Sequence, residues 1–165
     1  MMDGNTSLDA LSYQQHCHWM KRALAIAEVA GESGEIPVGA VIVDRNGQII
    51  AESSNRKERS NDPTAHAEIL AIRAASQFLK NWHLGDLTLY VTLEPCIMCT
   101  GAVIQSRLGL LVYGVDDPKS GTIRTVFNLP DSPASNHRLK VISGILEKPC
   151  REQLQAWFIK KRSEK

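Results

Sequence analysis

A chain of 165 residues is long enough for one well-buried core and too short to expect two. Its hydrophobic share of 43% against 22% charged is that of an ordinary folded domain, which excludes a low-complexity or disordered chain, and no apolar run approaches the ~20 residues that span a bilayer. The formal net charge of +1 gives no general affinity for nucleic acid, so any RNA contact must come from basic groups gathered locally.

The first ten residues, MMDGNTSLDA, lack the apolar core of a secretory leader and the arginines of a transit peptide, and are expected to be a disordered extension. With no leader, the four cysteines point to a reducing compartment, the cytoplasm, where thiols hold metal or lie buried. HWMKRALAIAEVA has apolar residues at helical spacing and GESGE ends it. IPVGAVIVDRNGQIIAESSN reads as a β-hairpin turning at Asn46-Gly47, a pair suited to positive φ. RKERSNDP is expected to be a polar loop, followed by a helix that Asp62 or Thr64 could cap, Thr64 being preferred, and that runs to about Phe78.

LTLYVTL is a strand apolar on both faces, as at the centre of a covered sheet. Pro95 stands where a helix takes its first residue, and CIMCTGAVIQSRL supplies that helix. GLLVYG is a second buried strand, VDDPKSG and LPDSPASNH are loops, LKVISGIL is a last strand, and CREQLQAWFIKKR closes as an amphipathic helix with a basic end. The order α-β-β-α-β-α-β-β-α predicts a three-layer α/β/α fold around a mixed five-stranded sheet, one domain over residues 1–165.

Cys96 and Cys99 are three positions apart on a predicted helix, so both thiols face one side, near a helix N-terminus that favours thiolates. Two buried small side chains, or a redox pair, would also account for an isolated CxxC. Neither accounts for His66 and Glu68 at the head of the preceding helix. Positions 66 and 68 point roughly 200° apart on an ideal helix, so both reach one pocket only if His66 sits at the helix tip. His66, Cys96 and Cys99 are then three ligands for zinc, with iron the alternative. The remaining candidates, Cys17, Cys150, His16, His18, His83 and His137, offer no evident fourth, because neighbouring helical positions such as His16-Cys17-His18 diverge. An open fourth position favours catalysis over a structural site. Glu68 is then placed to act as a general base, taking a proton from a water at that open position.

His66-Ala67-Glu68 with Pro95-Cys96-x-x-Cys99 resembles the cytidine deaminase-like superfamily of zinc-dependent nucleobase deaminases. EIPVGAVIV, NDPTAHAEI, LYVTLEPCIMCTGA and SNHRLKVISGIL are similar to the bacterial-type tRNA-specific adenosine deaminases, from about Trp19 to Phe158. The resemblance implies hydrolytic deamination of the wobble adenosine, position 34 of a tRNA anticodon stem-loop, to inosine. It also implies a cytoplasmic homodimer with one Zn2+ per subunit and no membrane partner. Carried over by position, Asn55 would hydrogen-bond the target base, Pro37 would shape the pocket wall, and Asp117 would lie near the nucleotide. TIRTVFNLPDSPAS departs from the family pattern.

Charge supports RNA binding only at the clusters RKER and KKRSEK, the first lying between Asn55 and His66. Such runs are more often simply a solvated face. Two other readings remain: a free guanine or cytosine deaminase using the same site, and a non-catalytic zinc-stabilised RNA-binding subunit, in which Glu68 would be expected to be missing.

Overall fold

The computed structural model describes residues 12–165, and the expected disordered extension lies outside them. Helix α1 (Tyr13–Glu32) starts five residues earlier than the apolar spacing implies, because Ser12 and Gln15 form a reciprocal capping box. Strands β1 (Gly39–Val43) and β2 (Ile49–Ser54) form the expected hairpin. Its turn is not a tight Asn46-Gly47 pair, however. Asp44 Oδ1 accepts the N–H groups of Asn46 and Gln48, both at 2.9 Å, and only Gly47 has positive φ, at 74°. The aspartate side chain wins the local hydrogen bonding and the pairing register shifts between Ile42 and Val43.

The polar run predicted as loop contains a single helical turn, α2 (Lys57–Ser60). Then come α3 (Ala67–Leu79), β3 (Thr88–Leu93), α4 (Ile97–Gln105), β4 (Leu110–Val115), β5 (Lys140–Ile142) and α5 (Glu147–Ser163). The sheet order is β2-β1-β3-β4-β5, with β1 antiparallel to both neighbours and β3, β4 and β5 mutually parallel. This is the mixed five-stranded sheet read from the sequence.

Alternation along the strands fills both faces. Leu89 and Val91 of β3, with Leu111 and Tyr113 of β4, pack beneath Ala67, Ala71 and Ala75 of α3 and Val103 of α4. Tyr90, Leu110 and Val112 face the other way, toward Met20 and Ala23 of α1 and Cys150 of α5. The small residues on α3 and α1 let the helices lie close to the sheet. Gly39 shows how close: a Cβ there would stand 2.0 Å from the Ala23 carbonyl oxygen. His16 is buried, with Nδ1 2.9 Å from the Tyr90 hydroxyl, and Cys150 is buried, so both are packing groups. Among the described residues no helix is long and apolar enough to cross a membrane.

Candidate active site

The pocket opens at one end of the sheet, where β2, β3 and β4 finish and β1 begins, the usual place for a site in such a fold. Two helices start there. His66 is the N-cap of α3 and Cys96 the N-cap of α4, both in extended backbone conformation (ψ 152° and 177°). Thr64 does not cap α3: its N–H and hydroxyl both bond to Asp62 Oδ1 in the preceding turn. His66 nevertheless sits at the helix tip, as a shared pocket with Glu68 requires. An extended N-cap swings the imidazole off the helix end, so His66 and Glu68 share a pocket that regular helical geometry would deny them. Pro95 likewise precedes the cap rather than opening the helix, and Cys96 takes the tip while Cys99 lies in the first turn.

His66 Nδ1 lies 3.7 Å from Cys96 Sγ and 3.5 Å from Cys99 Sγ, and the three donor atoms are all within 4.8 Å of one another. Metal–sulfur bonds of about 2.3 Å and metal–nitrogen bonds of about 2.0–2.1 Å at a tetrahedral angle give nitrogen–sulfur edges of about 3.6 Å. The donor set therefore fits a tetrahedral cation. Among the described residues no fourth His, Cys, Asp or Glu joins the cluster, and the Glu68 carboxylate stays outside it.

The electrostatics follow from burial and proximity. Cys96 is drawn down to about 4 by the hydrogen bond from Cys99, with His66 adding to it. Cys99 is pushed far up by that same bond, then by burial and the nearby Glu68 charge. Bonding to Cys96 raises His66 against the opposing effect of burial. Glu68 is 4% exposed, and burial lifts its carboxyl above the ordinary range. A buried carboxyl of raised proton affinity lining the same pocket as the His66, Cys96 and Cys99 donors can take up and release a proton there.

The lining also includes Asn55, Lys57, Asp117 and Ser120. Asn55 follows β2. Its N–H donates to Val38 O, its Oδ1 accepts the Lys57 N–H at 3.3 Å, and its Nδ2 makes a long 3.4 Å bond to Ile36 O. Asp117 reaches the pocket, but its carboxylate accepts from the Lys119 and Ser120 N–H groups and the Ser120 hydroxyl, which shapes the loop. Pro37 does not line the cavity. Ile36 and Val38 do, while Pro37 is turned toward α1, where a Cβ on Gly31 would lie 3.3 Å from its own. Asn136 and His137 bond instead to the Arg107 side chain and the Leu108 carbonyl.

Two buried carboxylates absent from the sequence reading hold the pocket walls. Glu94, 1% exposed, accepts the N–H groups of Asp117, Ile123, Arg124 and Thr125 at 3.0–3.2 Å, and the Thr125 hydroxyl. Glu35, fully buried, accepts the N–H groups of Glu58 (3.1 Å) and Arg59 (2.7 Å), fixing the α2 turn. Glu94 did leave a signal: it is a charge placed directly between an apolar strand and Pro-Cys.

Fold and site together define a deaminase, and the model of the MafB19-like deaminase family matches residues 14–161. The chain is 47% identical over 146 residues to the tRNA-specific adenosine deaminase of Haemophilus influenzae, covering 88% of this chain and 84% of that one. A solved structure from studies of A-to-I editing by tRNA:A34 deaminases at the wobble position of transfer RNA matches with TM-score 0.80 and 43% identity, covering 82% of this chain and 98% of that one. The guanine deaminase of Bacillus subtilis matches with TM-score 0.57 and 44% identity over 60% of this chain and 63% of its own. The chain belongs to the family of tRNA-specific adenosine deaminases.

Proposed function

We propose that this chain converts the wobble adenosine, position 34 of a tRNA anticodon loop, to inosine by hydrolysis, with Zn2+ held by His66, Cys96 and Cys99. One observation carries the chemistry: three donors at tetrahedral spacing with a buried carboxyl beside them but outside the donor set. The identity to tRNA-specific adenosine deaminases supports the substrate. Two sulfurs and an imidazole are a donor set that suits zinc, which when bound there supplies the Lewis acidity to make a water nucleophilic near neutral pH.

Glu68 accepts one proton from the attacking water and delivers it to adenine N1 as the C6–O bond forms. It then moves the second proton from the C6 hydroxyl to the amino nitrogen. The C6–N bond breaks, ammonia leaves, and C6 becomes the carbonyl of inosine. Asn55, with unspent hydrogen-bonding capacity at the wall, holds the base edge, and Asp117 with its loop borders the sugar. Pro37 is assigned no direct contact. A base must leave the loop stack to enter such a pocket.

Exposed Ile97, Val126 and Phe127 lie on the segments beside the pocket that Thr122 ties to Pro95, and they support a homodimer, tested by sedimentation. Four cysteines without a disulfide among the described residues support a cytoplasmic setting.

The deciding experiment incubates the protein with an adenosine-34 anticodon stem-loop, its guanosine-34 counterpart, free guanine and free cytosine. Inosine and ammonia from the first substrate alone is the expected result. Deamination of a free base instead would move the reading to a nucleobase deaminase, which the guanine deaminase match makes the serious rival. Glu68→Ala should lower turnover by about 10²–10⁴-fold while the bound metal stays. Surviving turnover would remove the shuttle role.

A further inference from the structure

The cavity is small, about 210 Å³, below the roughly 300–1,000 Å³ that encloses a drug-sized ligand. It takes one ring system and leaves sugar and phosphates at its rim. The charged side chains around it are unequal in what they still have to offer. Glu94 is committed to five hydrogen bonds, Asp117 to its own loop, and His66 to the sulfurs. Lys57 is different. It is the one lysine or arginine in the lining, and among the described residues its ammonium has no ion-pair partner.

Its backbone, by contrast, is held firmly. The Lys57 N–H donates to Asn55 Oδ1, its carbonyl accepts the Asp62 N–H, and the next two N–H groups are gripped by buried Glu35. Arg56 N–H donates to Ala65 O, which ties the same turn to the segment entering α3. The foot of the side chain is thus fixed to the residue assigned to the base edge, while its head reaches water. Its neighbours in the basic run do not compete: Arg59 pairs with Glu35, and neither Arg56 nor Arg59 lines the cavity.

We infer that Lys57 is a specificity residue whose ammonium binds a phosphodiester flanking the nucleotide whose base occupies the cavity, so that polynucleotide is preferred over free base or nucleoside. The inference rests on the proposed RNA substrate. A point charge on a mobile stem suits a phosphate, and it lies where a base entering beside Asn55 must leave its backbone.

The test compares wild type, Lys57→Gln, Lys57→Arg and Arg56→Gln on the adenosine-34 stem-loop, made either with natural linkages or with neutral methylphosphonates flanking position 34. On the natural substrate Lys57→Gln should raise KM about tenfold, the size of one charge-assisted contact, with kcat within about twofold. It should also reduce the salt slope of log KM by about 1. Lys57→Arg should restore most of the loss, and Arg56→Gln should change little. On the methylphosphonate substrate wild type and Lys57→Gln should converge. An unchanged KM for Lys57→Gln, or an equal penalty on the neutral-linkage substrate, overturns the inference while leaving the deaminase reading intact. If wild type makes no inosine from any stem-loop, the substrate reading itself fails and this inference falls with it.

Discussion

Replacing Glu94 by glutamine keeps the side chain's volume and changes its hydrogen-bonding sense, so it isolates what that carboxylate does. Oε2 accepts Ile123, Arg124 and Thr125 N–H groups, and Oε1 accepts Asp117 N–H and the Thr125 hydroxyl. If the amide oxygen takes the Oε2 place, three bonds survive but become neutral, a loss of about 1 kcal/mol each. The amide nitrogen then confronts Asp117 N–H, donor against donor, stranding it at about 1–3 kcal/mol. The sum is about 4–6 kcal/mol. That is an upper bound, because the segment can peel away and hydrate its amides once this exceeds the local opening free energy. The expected result is a loosened wall rather than an unfolded protein. Native-state hydrogen exchange read by mass spectrometry should show the Asp117 and Ile123–Thr125 amides losing protection by about 10³-fold, at 1.4 kcal/mol per factor of ten. The β3 amides should change far less, and KM should rise as Asp117 and Ser120 leave the cavity. Protection of those four amides within tenfold of wild type would refute the reasoning.

Gly39→Ala should destabilise by about 3 kcal/mol or more in urea titration, since its Cβ would fall 2.0 Å from Ala23 O and 2.9 Å from Ala27 N, both backbone atoms; a loss below 1 kcal/mol would show that α1 yields easily. Burial holds His16 below its ordinary value, so below about pH 6.5 the unfolded chain takes up a proton that the folded chain declines. His16 therefore costs nothing above that pH and erodes stability as pH falls toward the folded value, by up to about 1.4 kcal/mol per pH unit. Urea midpoints measured between pH 7 and 5 should show a shallower acid-side decline for His16→Gln than for wild type, and identical profiles would discard the assignment.

Much of the site was legible because its chemistry is local in sequence. His66-x-Glu68 and Cys96-x-x-Cys99 each lie within one helical turn, and the continuous apolar runs at β3 and β4 announced a sheet covered on both faces. What stayed hidden depends on partners distant in the chain or on competition among nearby polar groups. Glu35 and Glu94 carry no periodic signal, and their roles appear only when backbone N–H groups 23–31 residues away come to them. Thr64 is a good cap by type, yet Asp62 is two residues away and takes both its donors. The α2 turn was masked because its carboxylate partner lies on another segment. Pro37 was assigned by likeness of position, whereas alternation turns its neighbours toward the cavity and Pro37 itself toward α1.

His66 and Cys96 occupy the two positions where helices ordinarily place a serine or aspartate, and neither makes a side-chain cap bond. Each such omission weakens a helix start by about 1 kcal/mol. Selection for a hardier scaffold would favour Ser or Asp at residues 66 and 96, whereas the proposed metal-holding role keeps His66 and Cys96 in place. Robustness and chemistry thus make opposing demands on the same two side chains, and heat-stabilised variants of this enzyme must find their gains elsewhere in the chain.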